Sequence, residues 1–379
     1  MKIGILTEII NYHSGARAPL ETAKHLAKRG HQITIYGYVF GQDKYTLQDL
    51  RNHAVSVKMF NKPRIAIIGK YISALSLFKS LRKNQPQVIL FSGTLPFFLA
   101  AKLLGIPIIW IYMGTQFDAI LEQTIPDQNV PSFTKVLNKI ANLYIFLVGI
   151  IIFRLSTSVV AISKYAANEG KRLYRRNVRE VIYFGTTRLS SRIKNDTIKK
   201  TSGSSLLAVS RITPYKGFHL IVEAMKKVKA NKKVILTIVG SQPKQGYVEY
   251  LKKIGGKNID IIIDPTDQKL AKLYQKSDIY VTADRYLYFG LPIVEAAQFS
   301  KPTISFNFAA ASELVEHGKT GFIAKNLQDF ARYMTLLIED DHLRERLGRN
   351  AKQRSKQFSW EKCAQEWEKV IETILRKKV

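Results

Sequence analysis

Two cations five residues apart, Arg211 and Lys216, stand in the run Ser210-Arg211-Ile212-Thr213-Pro214-Tyr215-Lys216-Gly217, between an apolar strand and a helical segment. A helix start favours anions through its unpaired backbone N–H groups, and an Arg and a Lys beside it can hold a diphosphate. Taken alone the pair is also what an ordinary exposed loop looks like. A second pattern, Tyr288-Phe289-Gly290-Leu291-Pro292-Ile293-Val294-Glu295, offers backbone approach at Gly290 and Leu291 and a helix start at Pro292. Glu295 is expected in the first turn, where a carboxylate either offsets the positive helix end or accepts hydrogen bonds from ribose hydroxyls. The third, Asn11 to Pro19, lacks a full G-x-G-x-x-G, so a dinucleotide fingerprint is not supported. Its Gly15 still lets backbone meet a phosphate or sugar, and His13 is either an acid/base group or a solvated loop histidine.

Elements that place these loops follow from hydrophobic periodicity. Short β-branched runs (Lys2 to Thr7, Gln32 to Tyr38, Val88 to Phe91, Ile108 to Tyr112, Ser158 to Ile162) alternate with helical segments. Continuous Val, Ile and Leu in Val88-Ile89-Leu90 mark strands buried on both faces, hence a parallel sheet. Periodicity breaks after Ile182 and restarts at Leu206 to Val209, Val234 to Val239, Ile259 to Ile263, Ile279 to Thr282 and Thr303 to Phe306. The predicted organisation is α/β: a first doubly wound domain over 1–187, a linker over 188–204, a second domain over 205–357 and a C-terminal helix over 358–379. Ligands of such folds bind at the carboxyl ends of the strands, so a cleft between two facing domains is the expected site.

The 379 residues carry 59 Lys and Arg against 29 Asp and Glu, a net charge of +30, and 46% are hydrophobic, which excludes a mainly disordered chain. One cysteine, Cys363, rules out an intrachain disulfide and fits a reducing compartment. The N-terminal apolar run is too short for a signal peptide, so a cytoplasmic chain is expected. Basic excess leans to the first half, net +19 in 1–200, and no acid occurs between Asp49 and Asp118. The apolar stretch Leu143 to Phe153 is shorter than the roughly 20 residues of a membrane span. It reads either as a buried helix or as an amphipathic segment lying on a bilayer. Basic and apolar segments together suit an anionic membrane surface. Nucleic acid would feel the same field, but the chain has no aromatic-interleaved basic motif or helix-turn-helix signature.

In this order, and together with Lys319-Thr320-Gly321-Phe322-Ile323 and Phe358-Ser359-Trp360-Glu361, these motifs resemble the retaining, nucleotide-sugar-dependent glycosyltransferases of the GT-B fold, family 4. The resemblance covers nearly the whole chain. It implies two Rossmann-like domains facing across a cleft, with a C-terminal helix returning to the first. It also implies a UDP- or GDP-sugar donor on the second domain, a glycan or polyprenyl/phospholipid acceptor on the first, and no cofactor or metal. By similarity Arg211 and Lys216 would bind the diphosphate and Glu295 the ribose. Gly290 and Leu291 would line the sugar–phosphate pocket, and Gly15 would face the diphosphate from the first domain.

The chain departs from the family at the sugar end. Met113 stands where a histidine is usual, Leu287 where a first glutamate is usual, and Ala309 and Ala310 where glycines are frequent. Methionine exchanges no proton. Either other groups, such as Asp118, Asp284 or His13, take over, or the chain is a catalytically impaired relative that binds a nucleotide sugar or supports a partner.

Overall fold

The computed structural model describes residues 1–10, 12, 17–38, 44–60, 68–115, 117, 118, 120–126, 128–186 and 204–377. His13, Gly15 and the expected linker up to residue 203 lie outside them. The described chain forms two compact units that interleave in sequence. Unit 1 comprises Met1–Gly114, Tyr144–Gly185 and Ser359–Val379; unit 2 comprises Thr115–Leu143 and Thr186–Phe358. Thr115–Leu143, placed by the sequence reading in a domain over 1–187, therefore packs in unit 2.

Unit 1 alternates strand and helix: β1 (Lys2–Ile9), α1 (Arg17–Lys28), β2 (Gln32–Tyr38), α2 (Lys44–Asn52), β3 (Val55–Phe60), α3 (Ile68–Asn84), β4 (Val88–Ser92), α4 (Leu95–Leu103), β5 (Ile108–Tyr112), the second half of α5 (Ser132–Leu155), whose first half belongs to unit 2, β6 (Ser158–Ala161), α6 (Lys164–Tyr174) and β7 (Glu180–Val181). The strands order as β3-β2-β1-β4-β5-β6-β7, all parallel. Central strands read as unbroken apolar runs because helices cover both faces, and Val88 to Phe91 are fully buried.

Unit 2 repeats the pattern: β8 (Ser204–Val209), α7 (Phe218–Met225), β9 (Val234–Gly240), α8 (Tyr247–Gly255), β10 (Ile259–Ile263), α9 (Asp267–Lys276), β11 (Ile279–Thr282), α10 (Leu291–Gln298), β12 (Thr303–Phe306), α11 (Ala311–Leu314), β13 (Gly321–Ala324), α12 (Leu327–Glu339) and α13 (Asp341–Ser355). Its parallel sheet orders as β10-β9-β8-β11-β12-β13. Leu206, Ala208, Leu236, Ile238, Val281 and Ile304 fill the core beneath the helices. Chain direction across the sheet reverses between β8 and β11, which makes the carboxyl ends of these two strands the switch point of the unit.

A last helix, α14 (Trp360–Arg376), starts at Ser359, whose hydroxyl accepts from the Lys362 N–H as an N-cap. It packs on α1 in unit 1, as the resemblance implied. Trp367 and Ile371 are buried there, and Glu368 accepts from the Arg29 guanidinium (Nε 2.9 Å) and lies 2.8 Å from His31 Nε2. Gly185, at the end of the second stretch of unit 1, has no room for a side chain: a Cβ would overlap the Trp360 backbone N.

The apolar stretch Leu143 to Phe153 belongs to a much longer element. Helix α5 runs 24 residues, long and apolar enough by length and composition to cross a membrane, with a mean hydropathy of 2.1 over its most apolar window and only 22% of that window buried. The element is longer than the stretch read from sequence, and of the two readings given there the buried helix does not describe this window.

Candidate functional site

At the unit 2 switch point, β8 and β11 pair through Leu206 with Ile279 and Leu207 with Tyr280. The loops that follow, Ser210–Gly217 and Ala283–Gly290, leave from adjacent strand ends. Tyr280 ties them, its hydroxyl donating to the Val209 carbonyl at 3.2 Å. Burial pushes that hydroxyl far above its ordinary pKa, so it stays a proton donor at every physiological pH.

The first loop is a 3-10 turn over Pro214–Lys216 closed by Gly217 at φ +70. Glycine is required: a Cβ there would meet the Ala283 carbonyl oxygen at 2.5 Å. That close approach brings the two loops together. Tyr215, 5% exposed, lies at the centre of the first. The Arg211 guanidinium carbon is 5.6 Å from its ring centroid and the Lys216 ammonium 5.0 Å, so one ring gathers both cations. The Thr213 hydroxyl in the same turn is buried without a hydrogen-bond partner among the described residues, a donor that a ligand oxygen can accept from.

The second loop meets it charge to charge. Asp284 Oδ2 lies 2.5 Å from Lys216 Nζ, with side chains only 9% and 10% exposed, and Asp284 Oδ1 accepts from the Tyr286 N–H at 3.0 Å. Tyr286 stands edge-on to Tyr215 with centroids 5.8 Å apart, and its hydroxyl donates to the Phe117 carbonyl at 2.5 Å. Tyr288 grips Thr115 on both sides: its hydroxyl donates to the Thr115 carbonyl at 2.5 Å and receives the Thr115 N–H at 3.1 Å. Tyr286 and Tyr288 thus bind the segment after β5 to the loop after β11.

Asp118 sits in that segment, at φ +60. Its Oδ1 accepts from Asn138 Nδ2 at 2.7 Å and Asn142 Nδ2 at 2.9 Å, while its own N–H donates to Asn142 Oδ1 at 2.9 Å. The carboxylate is an anchor on α5, held by two amides one helical turn apart. The expectation of an acid/base group did not include this anchoring role.

Helix α10 starts at Leu291 with Gly290 as its N-cap, which puts Glu295 in the second turn rather than the first. Glu295 is 4% exposed, and its Oε2 accepts from the Tyr274 hydroxyl at 2.9 Å. Leu287, where a carboxylate was the family habit, is 6% exposed; its Cδ1 would lie 3.1 Å from a Cβ at Gly290, and its carbonyl accepts from the Ala310 N–H. Ala309 takes φ +46, a conformation that glycine adopts at no steric cost. Met113, directly after β5, is half-buried.

Sequence reasoning singled out Arg211, Lys216, Gly290, Leu291 and Glu295, which lie on the loop after β8 and at the start of α10 after β11, and it passed over Tyr215, Tyr286, Tyr288 and Thr115. The alternation in Asp284-Arg285-Tyr286-Leu287-Tyr288, polar and aromatic at every second residue, was the available signal. In unit 1, the described residue nearest the His13 loop is Tyr12, whose hydroxyl donates to Asp49; Lys24 bridges Asp49 and Glu21 at 3.0 Å each.

Residues 16–186 match the family Glycosyltransferase Family 4, and residues 190–354 match Glycosyl transferases group 1. An uncharacterized glycosyltransferase of Methanocaldococcus jannaschii is 26% identical over 94% of this chain and 93% of its own length. Another from the same organism is 29% identical, but the match spans only 58% of this chain and 60% of that protein. Among solved structures, Anabaena HepE in complex with UDP and glucose superposes with a TM-score of 0.76 at 18% identity, covering 98% of this chain and 100% of that one. At that identity the likeness is one of fold, GT-B.

Proposed function

Because the chain belongs to the group 1 glycosyltransferases, a family of enzymes, we propose that it moves a sugar from a nucleoside-diphosphate donor to a glycan or lipid-linked acceptor with retention of anomeric configuration. The observation that carries the donor half is the Arg211–Tyr215–Lys216 array at the β8/β11 switch point. The UDP held by HepE supports a nucleotide donor in the same fold.

As the bond between the sugar C1 and the diphosphate breaks, its electron pair goes to the departing phosphate oxygen. Fixed cations at Arg211 and Lys216 stabilise that charge without reorganising at the moment of reaction. The acceptor hydroxyl oxygen bonds to C1, and its proton passes to the departing phosphate. Donor binding would draw Lys216 from Asp284 toward the diphosphate. The Tyr215 ring stays beside both cations, and Thr213 can donate to a phosphate oxygen. Gly290 and Leu291 offer backbone to the sugar–phosphate, and Glu295 reaches a ribose only by giving up part of its contact with Tyr274. A lipid-linked acceptor at an anionic cytoplasmic membrane face is the class that the basic excess suits.

The test is release of nucleoside diphosphate from UDP-, GDP- and ADP-sugars by the purified protein, with and without membrane lipid extract. Release from one donor is expected, and the Arg211→Ala and Lys216→Ala variants should each weaken nucleotide binding by about 1.5 to 3 kcal/mol. Unchanged affinity in both variants would remove this donor site.

Met113 and Leu287 favour a second reading, a relative that grips the nucleotide but does not transfer. Tight nucleotide binding with no release from any donor would select it.

A further inference from the structure

We propose that the outward face of α5 is a membrane-docking surface that lies in the headgroup–acyl boundary of an anionic bilayer. The inference deepens the lipid-side reading of the acceptor and is independent of the donor site. Phe133, Val136, Ile140, Leu143, Leu147 and Ile151 are all exposed, between 38% and 71%. At 100° per residue they fall within an arc of about 80°, and at 1.5 Å per residue they extend over about 27 Å. The opposite side of the same helix is the buried one: Asn138, Gly149, Ile152 and Phe153 project about 120° to 180° from the centre of that arc. A helix apolar on its solvent side as well as its core side presents a contiguous patch that a soluble surface rarely carries.

Length and hydropathy alone would also suit a membrane span, but the packing forbids it. Phe153 and Tyr174 rings lie 4.5 Å apart, a Cβ at Gly149 would overlap the Tyr174 hydroxyl, and α5 delivers the chain directly to β6 of a parallel sheet. The helix cannot leave the fold without dismantling it, so it lies on a bilayer and does not cross one.

Charge selects the occupant. No acid occurs between Asp127 and Glu169, while Lys135, Lys139 and Arg154 of α5 are exposed. The second half of α5 shares a core cluster in unit 1 with α3 and α4, which add exposed Tyr71, Ile72, Leu75 and Leu103 on a stretch equally free of acids. Two copies joined by this face about a two-fold axis would bring these cations together with no acid to offset them. An anionic lipid surface takes both the apolar stripe and its flanking cations.

The test is flotation of the full chain with vesicles of phosphatidylglycerol and phosphatidylcholine, against phosphatidylcholine alone. The intact protein should float with the anionic vesicles at low salt. A Val136→Ser, Ile140→Ser, Leu147→Ser triple variant, altered only at exposed positions, should partition at least tenfold less. A Lys135→Ser, Lys139→Ser, Arg154→Ser variant should lose roughly 100-fold, about fivefold per cation, and most of its salt dependence. A Leu147→Trp variant should show a blue shift on adding anionic vesicles, a readout that depends on insertion itself. The proposal is overturned if the intact protein stays out of the lipid fraction or if the serine variant floats equally well. It is also overturned if the intact protein is a lipid-free dimer that the serine variant reduces to monomers. Flotation with no release of nucleoside diphosphate from any sugar donor would sink the transferase reading and leave this one standing.

Discussion

Lys216 Nζ and Asp284 Oδ2 lie 2.5 Å apart, at the meeting point of the loops after β8 and β11, and both side chains are about nine-tenths buried. The ammonium proposed for the diphosphate thus has an internal anion that a donor must displace. Breaking a buried pair by removing one partner is costly. Asp284→Asn should lower the stability of the nucleotide-free protein by roughly 3 kcal/mol. It should also tighten nucleoside diphosphate binding about fivefold, because the ammonium no longer has to leave a carboxylate. Calorimetric binding together with denaturant melts reads both; weaker binding in Asp284→Asn would mean that the pair itself builds the site.

Asp118 distinguishes anchoring from proton transfer. Asparagine keeps an oxygen for the Asn138 and Asn142 amides and tolerates the left-handed backbone at φ +60, whereas alanine loses both. Asp118→Asn should retain most activity and stability, and Asp118→Ala should lose about 1 to 3 kcal/mol of stability. An Asp118→Asn variant that folds normally but has lost turnover would restore the acid/base role.

Tyr288 donates to and receives from the Thr115 backbone within the buried interior of unit 2. Removing its hydroxyl takes one hydrogen bond each from a buried N–H and C=O. Tyr288→Phe should destabilise the protein by about 1 to 3 kcal/mol in a thermal or urea melt. A melt identical to the parent would show that other groups satisfy Thr115.

The α1–α14 contact carries a pH signature. The Arg29 guanidinium, aided by His31 and opposed by partial burial, holds the Glu368 carboxyl below its ordinary value. A depressed carboxylate contributes stability above its unfolded pKa, and that contribution is lost as pH falls through the folded value. The Tm difference between the parent and Glu368→Gln should therefore be present at pH 7 and shrink toward zero as pH falls into the carboxylate range. A constant difference from pH 7 to pH 3 would assign the contact to packing instead of charge.

Much of this was legible in the linear chain because it is local. Apolar β-branched runs bounded by polar turns place the strands, and Thr303–Phe306 and Ile259–Ile263 emerge at the residues where their hydropathy changes. Ser359 ahead of Trp360-Glu361 marks a helix start through its own side chain. Arg211, Lys216 and Gly217 likewise carry their chemistry in one loop. The N-terminal half of α5 was not legible, since Ser132 to Asn142 mixes Lys, Asn and Thr with apolar residues. Its helix is secured by what the asparagines bind, a loop some 20 residues earlier.

By itself the sequence determined a basic two-unit α/β protein that resembles the glycosyltransferases, and the loop that holds Arg211 and Lys216, because periodicity, caps and turn residues act over a few positions. Tertiary structure alone decided that Asp284 neutralises Lys216, that Tyr288 grips Thr115, and that α5 turns one apolar face outward. Each of these joins residues distant in the chain, or depends on which face of a helix the core has already taken. Side-chain pairing and burial are properties of the packed fold, and no local pattern encodes them.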